Sequence, residues 1–189
     1  MKRPALTPAL ALALALALAS ALLSGCASPT QELFTLAPVP GEAKPGGPSV
    51  VMLRDIGLPK YLDRPQIVRS TEDYRVTLGV NERWGETLGT MLSRVLVENL
   101  EQRLPGSLVV KETGAITTTP KAVVEVELQR LDMDEAGAVA LFAQVARRGG
   151  GTRAVRLSVQ SASTTTRDEV SAMSIALGQL ADVIAGLLR

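Results

Sequence analysis

The sequence holds one thiol, no imidazole, and, among its 19 acidic residues, a pair of glutamates spaced one residue apart. The thiol, Cys26, follows Leu23-Ser24-Gly25 at the close of the most apolar stretch of the chain. A lone cysteine can serve as a nucleophile, a metal ligand, a redox group or a small buried filler. With no second cysteine it forms no intramolecular disulfide, and with no histidine it has no Cys-His partner. The missing imidazole also removes Ser-His-Asp catalysis and the commonest metal ligand. Glu125 and Glu127, in "VVEVEL", leave open a hydrolase that works with carboxylates alone. Their alternation with Val124, Val126 and Leu128 also has a plainer reading, the wet side of a half-buried strand. G-x-S-x-G, G-x-x-x-x-G-K-[ST] and H-E-x-x-H patterns are all missing, so the sequence offers no other catalytic constellation.

The residues ahead of Cys26 explain its use. Met1-Lys2-Arg3 is a short basic start, and Ala9 to Leu23 is an Ala/Leu run that ends in small residues. That is the layout of a secretory signal peptide. The run is shorter than the roughly 20 residues a membrane-spanning helix needs. Leu23-Ser24-Gly25-Cys26 resembles the lipobox of bacterial lipoproteins. The resemblance implies cleavage between Gly25 and Cys26, an S-diacylglyceryl group on the thiol, and an N-acyl chain such as palmitate on the new amine. No aspartate follows the cysteine, where Ala27 and Ser28 stand. By the same resemblance this favours the outer membrane, with the protein lipid-anchored on its periplasmic face. Beyond these covalent lipids no cofactor is expected.

Size and charge bound the rest. A leader of residues 1–25 leaves a mature chain of ordinary single-domain size, long enough to bury most of its apolar surface. The formal charge of +1 includes Lys2 and Arg3, so the mature part is near neutral and lacks the basic excess that nucleic-acid binding requires.

Residues 26–48 read as a lipidated tether followed by a short strand in "ELFTLAP", and the Pro/Gly-rich "PVPGEAKPGGPS" reads as loop. Residues 49–189 read as one α/β domain. "SVVMLRDIGLP", "RPQIVRST", "YRVTLGV" and "SLVVKE" are strands, the middle two joined as a hairpin around Thr71 to Asp73. Asn81 to Leu104 reads as a helix with Asn81 as N-cap and Pro105-Gly106 as its stop, and Trp84 falls on its apolar stripe. "KAVVEVELQRLDMD", "AVALFAQVARR" and "TRAVRLSVQS" read as an antiparallel meander wet on one face, with a phase shift at Arg130-Leu131 that predicts a bulge. A second amphipathic helix runs from about Arg167 to Leu188. The expected fold class is therefore α/β: a mixed sheet with an antiparallel meander and two main amphipathic helices.

"LPKYLDRPQIVRS" (58–70) followed by "NERWGETLGTMLSRVLVENL" (81–100) is similar to the ABC-type transport auxiliary lipoproteins, and more closely to the PqiC/YmbA group. "VSAMSIALGQLADVIAGLL" resembles their terminal helix. Gly85 stands where the family often has alanine, and the turn at Gly149 to Gly151 looks longer than usual. The resemblance implies a subunit of an MCE-type intermembrane phospholipid transport system that supports membrane integrity. It would dock a tunnel-forming MCE protein of PqiB type, with its inner-membrane complex, as a homo-oligomeric ring of several copies. The candidate partner-binding residues are Tyr61, Leu62, Asp63, Arg64, Pro65 and Gln66, with Arg83 and Trp84. Their types support the assignment independently, because prolines pre-set a loop and Tyr and Arg are common binding anchors. A wholly structural loop, with Arg64 paired to a carboxylate, is the competing reading. The basic turn around Arg147, Arg148 and Arg153 is expected to be solvated, with lipid headgroups or an acidic partner as the alternative.

Three function classes follow: the docking subunit, a monomeric periplasmic lipid-binding carrier (or general envelope structural lipoprotein), and a carboxylate-only enzyme. The carrier needs an enclosed apolar cavity of several hundred Å³, and the spare polar strand faces argue against it. The docking subunit, not an enzyme, is the reading the residues favour.

Overall fold

A computed structural model describes residues 30–71 and 75–189. The leader, Gly25, Cys26 and the tip of the hairpin expected at Thr71 to Asp73 lie outside the described residues, Thr71 excepted. The elements of the folded unit Gln31–Arg189 are, in order, β1 (Glu32–Phe34), β2 (Val50–Leu53), β3 (Gln66–Ser70), β4 (Val76–Trp84), α1 (Leu88–Arg103), β5 (Leu108–Lys111), β6 (Ala122–Met133), β7 (Ala138–Arg147), β8 (Thr152–Gln160) and α2 (Thr166–Leu187). This is a mixed α/β domain, as the patterning predicts.

β6 is the spine of the sheet. Its alternation buries Val124, Val126 and Leu128 and leaves Glu125, Glu127 and Gln129 toward water. Along one edge it pairs antiparallel with β7 from Val124↔Arg147 to Met133↔Val139, and β7 pairs with β8 in turn. The register shifts between Leu128 and Arg130, which is the bulge the phase change predicts. Two strands share the other edge. β2 runs parallel to the start of β6 (Val51↔Ala122), and β3 meets its end at Arg69↔Met133. Between them Gly57 donates to Val126 O at 3.0 Å and accepts from Leu128 N at 2.9 Å, so the segment joining β2 to β3 follows β6 closely. The sheet thus forks, with β5 parallel to β2 on one arm and β4 then β1 beyond β3 on the other.

Helix α1 buries Leu88, Met91, Leu92, Val95, Leu96 and Leu100, steps of three and four that form one stripe. Its N-terminus differs from the sequence expectation. Asn81 to Trp84 belong to β4, and the helix starts at Leu88 with Thr87 as N-cap. The reason is tertiary: the ladder to β1 holds Glu82 to Trp84, and Trp84 N donates to Pro65 O at 2.8 Å. Trp84 is in the core all the same, because its strand position and a helical position four before Leu88 both point inward. At the other end Gly106 takes φ +88°, the left-handed turn that stops the helix as expected.

Helix α2 is capped by Thr165, whose Oγ1 accepts from Asp168 N, with Asp168 and Glu169 in its first turn where the helix dipole favours them. It is apolar enough on composition to cross a membrane, but it packs on α1, β6, β7 and β8 and is a core helix.

An extended strap, residues 35–44, binds both helices. It forms no ladder there, so its amides need other acceptors. Ala37 N donates to Ser174 Oγ (3.2 Å) and Val39 N to Asn99 Oδ1 (2.8 Å). Arg103, only 1% exposed, donates Nη1 to Val39 O and Nε to Asp182 Oδ1 at 2.7 Å. One buried guanidinium ties α1, α2 and the strap together.

Candidate functional site

The loop from Leu58 to Pro65 is built from the turn Pro59-Lys60-Tyr61-Leu62, closed by Leu62 N to Pro59 O at 3.0 Å. Pro59 fixes one backbone angle of that turn. Leu62 then inserts into the hydrophobic core that also holds Ile67 and Val68 of β3. Tyr61 is part-buried, and its hydroxyl donates to Asp132 Oδ2 at 2.9 Å. Asp132, 1% exposed on β6, also accepts from Ser70 Oγ and from Arg130 Nε. Arg130 lies 5.6 Å from the centroid of the Phe142 ring, and Arg156 lies 4.8 Å from it. Each arginine can interact favourably with that ring. Burial, followed by the charge of Asp132, pushes the Tyr61 phenol far above its ordinary range. Tyr61 is therefore a neutral donor that locks the loop to the sheet.

The next two residues are different. Asp63 is exposed and Arg64 part-exposed, and neither makes an ion pair among the described residues. Nε of Arg64 is buried with no hydrogen-bond partner. The carboxylate expected for Arg64 in a purely structural loop is not there. A groove of about 470 Å³ opens beside Asp63, lined by Ile56, Leu58, Asp63, Thr90, Ser93 and Lys111 among others. It lies where the loop, the first turns of α1 and the end of β5 meet.

The other sequence candidates fall into place around it. Pro65 is exposed and its carbonyl holds Trp84 N. Gln66 opens β3 opposite Arg83. Arg83 Nη1 donates to Gly79 O (2.8 Å) and Glu82 O, closing the bulge of β4 rather than facing outward as a free charge. Leu62 and Trp84 are core residues whose part in any docking is to hold the backbone that presents Asp63 and Arg64. Sequence reasoning missed Asp132, Ser70 and Arg130. The one signal for them was an aspartate between Leu131 and Met133, two residues from Arg130 and on the outward phase of β6 after the bulge.

The carboxylate pair is equally legible. Glu125 accepts from Arg148 (2.8 Å) and Arg54 (3.2 Å), and those hydrogen bonds hold its carboxyl below the ordinary range. A general acid at neutral pH needs the opposite shift. The same ion pair engages one arginine of the basic turn, Arg148, whose side chain stays exposed.

A family model described as the ABC-type transport auxiliary lipoprotein component matches residues 34–185. No curated protein matches the sequence. Among solved structures, a crystal structure of an uncharacterized protein is similar with TM-score 0.68 and 19% identity, covering 84% of this chain and 98% of that one. A Xanthomonas campestris protein of family DUF330 is similar with TM-score 0.63 and 16% identity, covering 82% of this chain and 93% of that one. At such identities the two structures speak for the fold.

Proposed function

Because the chain belongs to the ABC-type transport auxiliary lipoprotein component family, we propose that it is a non-catalytic docking subunit of an MCE-type lipid transport system. In this reading acyl chains on Cys26 tie it to the inner leaflet of the outer membrane, facing the periplasm. Several copies form a ring that receives the tunnel of a PqiB-type MCE protein, which carries phospholipid or a similar apolar cargo from an inner-membrane complex.

One observation carries the docking assignment. Asp63 and Arg64 sit on a loop held rigid by Tyr61 and Leu62, yet neither makes an ion pair among the described residues. A pre-ordered loop with unspent polar groups binds at low entropic cost. A lipid carrier is less well supported: two of the grooves among the described residues are lined in good part by charged and polar side chains such as Arg54, Glu125 and Asp55, and the more apolar one, beside Leu33, Val39 and Ile175, is an open groove rather than an enclosed cavity.

The test is photocrosslinking in membranes from positions 63 and 64 of the full-length protein. Adducts with an MCE-domain protein support the docking reading. Adducts confined to this chain itself, or stoichiometric phospholipid on a monomer, overturn it.

A further inference from the structure

β4 carries Val76, Leu78 and Val80 at alternate positions, and all three side chains are exposed, Val80 to 80%. Alternate residues of a strand share a face. Leu33 on β1, 68% exposed, adds a fourth aliphatic side chain at the same arm of the sheet. β1 pairs with β4 only at Glu82 to Trp84, so among the described residues the outer edge of β4 from Val76 to Asn81 bears no strand. An open edge with an aliphatic face is a feature that soluble proteins normally cover or charge.

The covalent chain says what lies near it. β1 runs parallel to β4 with Glu32 opposite Glu82, so the chain enters β1 from the side of Val80. Cys26 precedes Glu32 by six residues, which even fully extended reach only about 20 Å. A lipid on Cys26 keeps this end of the domain within that distance of a bilayer. We propose that the aliphatic end formed by Leu33, Val76, Leu78 and Val80 rests on the phospholipid surface to which Cys26 is tied. The inference rests on the lipidation proposed above and adds the orientation of the domain. The composition of the patch suits a bilayer better than a protein. Its four side chains include no aromatic anchor of the kind that dominates protein interfaces, and the guanidinium carried by β4 itself, Arg83, is bound to backbone carbonyls. Aliphatic side chains at an interface gain from shallow burial without needing a complementary shape.

The experiment uses full-length, membrane-processed protein carrying Val80→Cys or Thr152→Cys, labelled with an environment-sensitive fluorophore. Cys26 is consumed by acylation, so the introduced thiol takes the label. Thr152 lies on β8, four strands across the sheet and at the other end of the meander. The proteins are reconstituted in phosphatidylethanolamine/phosphatidylglycerol vesicles with brominated acyl chains, and radiolabelled palmitate uptake is read in parallel. The expected result is blue-shifted, bromine-quenched emission at position 80 and neither change at 152. Palmitate uptake with unquenched emission at both positions overturns the orientation and leaves the anchor standing. A blue shift at 80 without bromine quenching means that protein covers the patch, and also overturns it. No palmitate uptake removes the anchor and the orientation together.

Discussion

Tyr61 donates its hydroxyl to the buried carboxylate of Asp132 at 2.9 Å, joining a loop and a strand 71 residues apart. Asp132 keeps two other donors, Ser70 and Arg130, when that bond is lost. Tyr61→Phe should therefore cost about 1 kcal/mol, the lower end for a buried acceptor that loses a partner. Urea denaturation midpoints measure it, and an unchanged midpoint would show the bond to be idle.

The same burial sets an alkaline signature. The folded state raises the Tyr61 phenol above its ordinary value of 10.0, first by desolvation and then by Asp132. Its contribution to stability is fully present below pH 10 and declines as the unfolded chain ionises above it. In a Tyr74→Phe protein the one remaining tyrosine should show no tyrosinate absorbance near pH 10 until the domain unfolds. Ordinary titration there would refute the assignment.

Gly41 and Gly57 give a matched pair. A Cβ at Gly41 would collide with the guanidinium of Arg103, and one at Gly57 with the carboxylate of Glu127. Arg103 is buried and fixed by Asp182, Asn99 and Val39, whereas Glu127 is exposed and can swing away. Gly41→Ala should destabilise by about 1–3 kcal/mol, as overpacking does, while Gly57→Ala stays within about 0.5 kcal/mol. Equal thermal shifts for the two would contradict this account.

Glu169 gives the acid side. It is fully buried, Arg69 donates Nε to its Oε2 at 2.8 Å, and its Oε1 has no partner. Burial raises its pKa from the ordinary value of 4.5, against the pull of Arg69. A raised carboxyl stabilises the fold fully below 4.5, and that contribution is lost as pH rises through the folded value. Glu169→Gln cannot ionise, so the stability of the variant relative to the parent should improve as pH rises from 4.5 toward 8. A gap that widens in favour of the parent over that range would show the ion pair with Arg69 to dominate.

Two substitutions separate anchoring from docking. Cys26→Ser should abolish palmitate uptake and detergent-phase partitioning without moving the melting temperature of the domain. Arg64→Ala should leave stability within about 0.5 kcal/mol, since among the described residues no acceptor loses a charged partner, yet eliminate the crosslink to the MCE protein. Intact crosslinking in that variant would move the docking site elsewhere on the molecule.

Local pattern carried most of the element types. Period-two alternation marked β6 and β8, a one-residue phase shift marked the bulge at Arg130, and three- and four-residue steps marked α1 and α2, because these follow from how successive side chains point. The start of α1 was not legible. Trp84 and Leu88 are four apart, which suits a helix, and only the pairing of Glu82 to Trp84 with β1 makes that stretch a strand.

The sequence by itself determined the family motif, the anchor candidate at Cys26 and the absence of imidazole chemistry, all properties of residue identity and close spacing. Tertiary structure alone decided that Tyr61 serves Asp132, that Arg83 is spent on its own bulge, and that Asp63 and Arg64 remain unpaired. It alone placed the aliphatic run of β4 at an edge left open beyond β1 among the described residues. Partners 60 to 100 positions apart, as Ser70–Asp132 and Arg69–Glu169 are, meet only when β3, β6 and α2 pack together, and no local periodicity encodes that meeting.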